Sequence, residues 1–350
     1  MFVNHANLNM EIKERPNVND RRIINGANAD VIQLYPMKHL FAWEAYNVGN
    51  SNHWLPTEIS MQNDIEQWKS KDVLTDDERR AFETVLGFFT TADSIAANNV
   101  VLALYKHITS PECRMYLLRQ GYEEAIHTHA YQYIVESLGM DEGKIFNMYR
   151  EVEAIYNKDN LVLSLNEGIF ADDFKTGTFE NDQKFLENLI VFSLILEGIF
   201  FYSSFAVVFG FQRNNKLKAS AEQIQYIMRD ESQHLNFGVN LINTIKEEQP
   251  ELWTPEFQTH IIELVKRAAK LEYDFAAEVF PNGIFGMNAT GFRQYIEHIS
   301  DRRLTSLGLP EQFKVENPFP WMSEAIDLAK EKNFFETRPT EYKGGGQLNW

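Results

Sequence analysis

Between about Met37 and Lys332 apolar residues recur at intervals near 3.6, and no convincing run of alternating polar and apolar positions stands out. A period of 3.6 turns one face of a helix toward a core, so the chain reads as all-α. Four long helices are expected at about 76–107, 111–138, 182–211 and 221–247, with shorter ones near 37–47, 58–69, 143–157, 255–279, 287–306 and 322–332. The start signals support them. Thr75 with Glu78, and Ser220 with Gln223, have the spacing of a capping box, in which two side chains each take up the other residue's free backbone N–H. Ser110 before Pro111 and Thr254 before Pro255 put a cap residue ahead of a proline at the first helical position. Residues 1–35 are polar and irregular and read as an N-terminal arm. Residues 336–350 lose the period and hold Gly344, Gly345 and Gly346, so they read as a flexible tail. That leaves 36–335 as one helical domain.

One segment is apolar all round: Leu189 to Phe211, 23 residues with a single charge, Glu197, near the middle. Its length would span a bilayer. A carboxylate at mid-bilayer costs about 2.5–3.5 kcal/mol, however, and a helix at the centre of a large bundle is also apolar on every side. The bundle is the better reading, and no membrane is expected as partner. Of 350 residues, 44% are hydrophobic and 13% aromatic, enough to build a large core. A formal net charge of −17 argues against a nucleic-acid backbone or an anionic lipid surface as the main partner. The single cysteine, Cys113, excludes an internal disulfide framework and any cysteine-rich zinc or iron–sulfur site. The N-terminus shows no apolar signal core, so a cytoplasmic location is expected.

Glu197 is not the only acid on an apolar stripe. Asp93 lies in register with Leu86, Phe89, Ala96 and Val100. Glu124 continues the row Leu117, Tyr131, Leu138, with His127 and Ile134 beside it, and Glu231 and His234 continue the row Ile224, Ile227, Gly238, Leu241, Ile245. Burying four carboxylates uncompensated would cost several kcal/mol each. They are therefore either neutralised by protons and hydrogen bonds or hold metal. Two divalent ions balance four carboxylates, and two neutral imidazoles fill further positions. One acid from each of two helices and Glu-x-x-His from each of two others is the donor set of a di-metal carboxylate bundle of ferritin-like type. Oxygen donors with imidazole suit iron or manganese. With nine His and 34 Glu in the chain, an isolated Glu-x-x-His means little. The order is more telling: an acid, then Glu-x-x-His 31 residues on, then an acid, then Glu-x-x-His 34 residues on. His129 faces away from its row and reads as ordinary. Tyr131 stands one turn beyond His127 on the same face, and Phe201, Phe205 and Ile227 are spaced to wall it with apolar surface. Alone it would be a core tyrosine; beside an oxygen-reactive metal pair a redox role becomes as plausible.

The segments HWLPTEI (53–59), EEAIHTHAY (123–131), LEGIFFYSSF (196–205), RDESQHLNFG (229–238) and NPFPWMSE (317–324) carry a resemblance over nearly the whole chain, from about Arg21 to Trp350. The sequence resembles the radical-generating small subunit of class I ribonucleotide reductase. The resemblance implies Asp93, Glu124, His127, Glu197, Glu231 and His234 as metal ligands, Tyr131 as the radical tyrosine, and Phe201, Phe205 and Ile227 as its pocket. It implies Trp54 as the near-metal tryptophan of the electron-transfer route, paired with Asp230, and Tyr342 as the tail tyrosine that relays the radical between subunits. The extreme C-terminus would dock on the large subunit, and the chain would form a homodimer. A reduced metal pair, an electron donor and dioxygen would oxidise Tyr131 by one electron, and the equivalent would pass reversibly through Trp54 and Tyr342 to a cysteine of the large subunit, where ribonucleotides are reduced. Several flanking segments look most like the chlamydial-type branch, which has phenylalanine for the tyrosine, Glu as first ligand and a mixed manganese–iron centre. This chain has Asp93 and Tyr131, the pair of tyrosyl-radical members, so two iron ions are the first expectation, with manganese–iron or two manganese as alternatives. A di-iron oxygenase or desaturase would need a substrate cavity and no Tyr342 tail, and ferritin-like iron storage would need neither the tail nor so long a chain. No phosphate-binding glycine loop is present, so the nucleotide site is expected on the partner.

Overall fold

A computed structural model describes residues 18–26 and 32–322. Helix starts fall mostly where the cap residues stand. Thr75 and Glu78 form the full capping box that opens α3, Asp76–Asn98. Ser110 accepts from the Cys113 N–H to open α4, Pro111–Leu138, which stops at Gly139, where φ of +66° favours a residue without a Cβ. Ahead of these lie α1, Leu40–Ser51, and α2, Gln62–Lys69; after them come α5, Glu142–Glu151, α6, Glu153–Phe170, and α7, Phe179–Ile190. The chain continues from α7 through a π-helical stretch, Val191–Phe201, into α8, Tyr202–Arg213. Then follow α9, Lys218–Glu248, α10, Pro255–Val279, and α11, Ala289–Ser306. Among the described residues there is no strand, only isolated bridges at Ile24–Ile108 and Ile284–Met287.

Three expectations need correction. The helix expected at 143–157 is two helices with a break at Val152, and the second runs on to Phe170. Its inward face carries the buried charges Lys158 and Asp159, which interrupt the apolar period that would have revealed it. The long helix expected at 76–107 is α-helical only to Asn98 and then widens into a π stretch, Asn99–Leu104. Ser220 does not open α9. The helix starts at Lys218, and the free N–H groups of Ala219 and Ser220 are taken by the Asp64 carboxylate of α2, at 3.1 and 2.7 Å. Beyond Met322, the helix expected at 322–332 lies outside the described residues, as does the tail at 336–350.

The arm is less detached than its composition suggests. Ile23 and Ile24 are buried, and the Thr109 N–H donates to Ile23 O at 2.7 Å. At the centre, α3, α4, α9 and the continuous helix Phe179–Arg213 pack together, with α1, α5, α6, α10 and α11 around them. That 35-residue helix is long and apolar enough to cross a membrane, but its apolar window is wholly buried by its neighbours. Its approach to α9 is close enough that a Cβ at Gly238 would collide with Ser193. Between α3 and this helix runs an aromatic seam in which Phe89 lies 5.9 Å from Phe88, 6.0 Å from Phe201 and 5.4 Å from Phe205, centroid to centroid. Each such fully buried ring contributes about 1.5–3 kcal/mol from desolvation, and the seam fixes one wall of the cluster described next.

Candidate metal centre

The four central helices deliver the six expected ligands to one place. Asp93 comes from α3, Glu124 and His127 from α4, Glu197 from the π stretch, and Glu231 and His234 from α9; all six are buried. They form two overlapping groups, Asp93, Glu124, His127 and Glu231, and Glu124, Glu197, Glu231 and His234, with one donor atom from each residue within 4.8 Å of the others in its group. Glu124 and Glu231 belong to both. His127 Nδ1 lies 3.1 Å from Glu231, 3.5 Å from Glu124 and 3.6 Å from Asp93. His234 Nδ1 lies 3.3 Å from Glu124, 3.5 Å from Glu231 and 3.8 Å from Glu197.

The donor atoms are unsatisfied. Both oxygens of Asp93, Glu124 and Glu231, Oε2 of Glu197 and Nδ1 of both histidines are buried without a hydrogen-bond partner. Buried polar atoms are rarely left so, and two cations placed between two shared carboxylates would satisfy all of them. The residues therefore fit a di-metal centre. Electrostatics point the same way. Burial, with the neighbouring carboxylates, pushes Asp93 and Glu197 well above the usual carboxylate range, while the His127 and His234 rings hold Glu124 below it despite its burial.

Each histidine is aimed by a carboxylate from the opposite helix. His127 Nε2 lies 3.3 Å from Asp230 Oδ2, and that oxygen also accepts the Trp54 indole N–H at 2.9 Å, while Arg229 reaches Asp230 Oδ1 at 3.2 Å. His234 Nε2 lies 2.9 Å from Glu123 Oε2, whose other oxygen faces Arg119 Nε at 3.1 Å. Such partners fix ring orientation and leave Nδ1 to the metal. Sequence reasoning missed Glu123, Arg119 and also Gln120, whose amide donates to Glu197 Oε1 at 2.9 Å. The signal was present in the doublets Glu123-Glu124 and Asp230-Glu231: the second acid faces the cluster and the first supports the other helix's histidine.

Tyr131 is buried, its hydroxyl facing the Asp93 carboxylate without closing a hydrogen bond, and burial raises its pKa well above that of free tyrosine. Phe89 stacks on it at 5.3 Å with the planes 6° apart, a contact the sequence stripe held but did not single out. Phe201 and Phe205 reach it through Phe89, and Ile227 is fully buried. Trp54 stacks on Tyr226 at 5.3 Å. His129 is exposed, as expected. Tyr342 lies outside the described residues. A cavity of about 150 Å³ beside Tyr202, Tyr295 and Arg303 is lined by none of the six ligand residues.

The family model for the ribonucleotide reductase small chain matches residues 31–318. A ribonucleoside-diphosphate reductase subunit beta of Chlamydia pneumoniae is 50% identical over 337 residues, covering 96% of this chain and 97% of the relative. A ribonucleoside-diphosphate reductase small subunit of Dictyostelium discoideum is 30% identical over 91% of this chain and 88% of its own. Among solved structures, the ribonucleotide reductase R2 subunit from Clostridium botulinum superposes with a TM-score of 0.80 at 28% identity, covering 87% of this chain and 94% of that one.

Proposed function

Since this chain belongs to the ribonucleotide reductase small-chain family and is a small subunit of that enzyme, we propose that its six clustered donors hold two iron ions and that Tyr131 stores the oxidising equivalent as a radical. The observation that carries this is the pair of overlapping donor groups sharing Glu124 and Glu231, with Tyr131 on Asp93 at one edge. When bound, a reduced metal pair would supply two of the four electrons that take dioxygen to water; an external electron donor would supply the third and Tyr131 the fourth. The chain's residues do the rest. Tyr131 gives up an electron, and its phenolic proton moves toward the Asp93 carboxylate that it faces. Phe89, Phe201 and Phe205 keep water and reductants from the ring. Trp54, Asp230 and His127 form a hydrogen-bonded line out of the cluster, with the indole N–H on Asp230 Oδ2 and His127 Nε2 on the same oxygen.

The equivalent then passes to the large subunit through Tyr342, with residues 336–350 as the docking segment; this assignment rests on the sequence. Deleting residues 343–350 should leave metals and radical intact and abolish turnover with the large subunit. Exposed Leu40 and Val48 on α1, with Leu118 and Tyr122 on the adjoining α4, offer an apolar face on which a second copy would pack to form the homodimer. An oxygenase reading would need a substrate cavity at the ligands, and the cavity beside Tyr202, Tyr295 and Arg303 is lined by none of them. The deciding experiment is metal analysis with electron paramagnetic resonance on protein from its native host. Two irons per chain and a tyrosyl signal that disappears in Tyr131→Phe are expected. Full activity of Tyr131→Phe would place the stored equivalent on the metals instead.

A further inference from the structure

The helix that supplies Glu197 is wide where the ligand sits. Val191–Phe201 is π-helical and returns to α-geometry at Tyr202. π turns are rare, and at this return one carbonyl is taken by a side chain from another helix and two by groups of the helix itself. Three successive carbonyls just after Glu197 are each claimed. Gly198 O accepts from Arg303 Nε of α11 at 2.8 Å, Ile199 O accepts the Tyr202 N–H, and Phe200 O is approached by the Ser203 and Ser204 hydroxyls, each at 3.0 Å.

Ser203 does more than close its own turn. Its hydroxyl also lies 2.6 Å from Glu272 Oε2 on α10, and Glu272 Oε1 is paired at 2.5 Å with Lys158 Nζ on α6. Lys158 and Glu272 are fully buried. The ammonium sits over the rings of Phe88, Phe275 and Phe200, at 3.4, 3.9 and 4.9 Å from their centroids. Phe200 is thus approached twice: its carbonyl by the Ser204 hydroxyl and by the Ser203 hydroxyl, whose single proton is shared between Phe200 O and Glu272 Oε2, and its ring by Lys158. A buried ion pair is a poor source of stability, since apolar residues of similar volume generally serve as well or better. Its contact with the turn that follows Glu197, through Ser203 and the Phe200 ring, asks for another role.

We propose that Lys158, Glu272 and Ser203 are positioning residues for the metal centre. By gripping Phe200 at ring and carbonyl they fix where the wide turn ends, and so where the Glu197 carboxylate lies relative to His234. This rests on the reading of Glu197 as a ligand. It predicts a selective defect: the group containing Glu197 and His234 loses affinity, and the group containing Asp93 and His127 does not.

The test is a titration of the full chain with Mn(II) alone, followed by electron paramagnetic resonance, which separates an isolated Mn(II) ion from a coupled pair. Two variants are used: Ser203→Ala, and the double variant Lys158→Met with Glu272→Met, which removes both buried charges together. In each, the first ion should bind as in the unsubstituted protein and the second about tenfold or more weakly, in the range that supporting partners of metal ligands usually command. At one to two equivalents the isolated-ion spectrum should then replace the coupled one. Two ions bound at parental affinity with a parental coupled spectrum, whatever the melting temperature, would overturn the proposal. Failure of the unsubstituted protein to bind two ions would overturn the metal-centre reading itself and this proposal with it.

Discussion

Two clusters of buried charge stand at opposite ends of the aromatic seam, and they are built on opposite principles. At one end Lys158 and Glu272 face each other at 2.5 Å, with Ser203 and three phenylalanine rings around them. Lys158 and Glu272 answer each other in charge, although the ion pair closes no hydrogen bond and the buried Asp159 carboxylate beside Lys158 has no hydrogen-bond partner. At the other end, four carboxylates and two histidines converge beside Tyr131, with nearly all their inward donor atoms unpartnered. Burial costs the ions of both clusters several kcal/mol each, but only in the first does a protein cation stand against a carboxylate at ion-pair distance. The second needs cations from outside. A buried charge answered by the protein points to architecture, and one left unanswered points to a ligand.

The comparison is sharpest where metal is added or withheld. Loading should stabilise the chain by about 4 kcal/mol per ion when free metal exceeds Kd a thousandfold. Chelation should bring thermal unfolding back to the metal-free value. Glu231→Ala should remove most of the increment, because Glu231 belongs to both donor groups, while the metal-free variant melts no lower than its metal-free parent. Two ions tightly bound to Glu231→Ala by elemental analysis would break the assignment.

The balanced cluster should behave the other way. Lys158→Met leaves Glu272 buried and unpaired, and removing one partner of a buried pair costs about 3–5 kcal/mol. Denaturant unfolding should show this loss whether metal is present or not. Adding Glu272→Met should recover most of it, since the orphaned charge goes too. If the single and double variants were equally unstable, packing around Phe88 and Phe275, rather than charge balance, would be what the pair provides.

Tyr131→Phe removes only one hydroxyl that makes no hydrogen bond in the fold, so stability should change by about 1 kcal/mol or less. The tyrosyl signal should vanish while metal content holds. A large loss of stability would mark the tyrosine as a structural member of the seam.

These contrasts also show what could be read from the chain. The unbalanced cluster was legible because its acids and histidines break apolar stripes on helices with clear starts, and the order of Asp93, Glu124 with His127, Glu197, and Glu231 with His234 repeats. The balanced cluster was not. Lys158 and Glu272 are far apart in sequence, neither has a local partner, and their burial hid α6 by interrupting its period. Ser220 misled because its spacing to Gln223 is right, yet Asp64 of α2 takes the N–H groups first. Glu123 was passed over because a carboxylate beside a ligand looks like a duplicate until the opposite helix is seen to need it. Helix periodicity records what faces the core, and pairings between distant elements leave no such record.

The smallest expected effect belongs to a third cluster, where charge balance can be adjusted by pH. His39, ahead of α1, lies between Ser110 Oγ at 2.8 Å and Glu248 Oε1 at 3.2 Å, with Glu112 Oε2 at 3.9 Å. Lys38 also reaches Glu248 at 3.1 Å, and Arg21 lies 3.8 Å from Glu112. Glu248 Oε2 accepts the Ile23 N–H at 2.7 Å, so this cluster ties the N-terminal arm to α4 and α9. Against its burial, the two carboxylates raise the His39 pKa above its ordinary 6.5. Hydrogen bonds from His39 and the backbone outweigh burial to lower Glu112 to about 2, and the His39 and Ile23 contacts lower Glu248. The raised histidine contributes fully below pH 6.5 and its share is lost as pH climbs through the raised value. The lowered carboxylates contribute above their unfolded values, near 4.5, and are lost as pH falls through the folded ones. The tie should therefore be tightest between roughly pH 4.5 and 6.5. Above that window it should loosen only modestly, on the order of 1 kcal/mol, because the Lys38–Glu248 and Arg21–Glu112 contacts remain and the site is partly open to solvent. Amide exchange at Ile23 and Thr109, expressed as protection relative to the unfolded chain, should fall as pH rises above neutral. His39→Gln keeps a side chain able to bond Ser110 but cannot titrate, so its protection should be flat over that range. A falling profile in His39→Gln would show that the loosening does not come from His39.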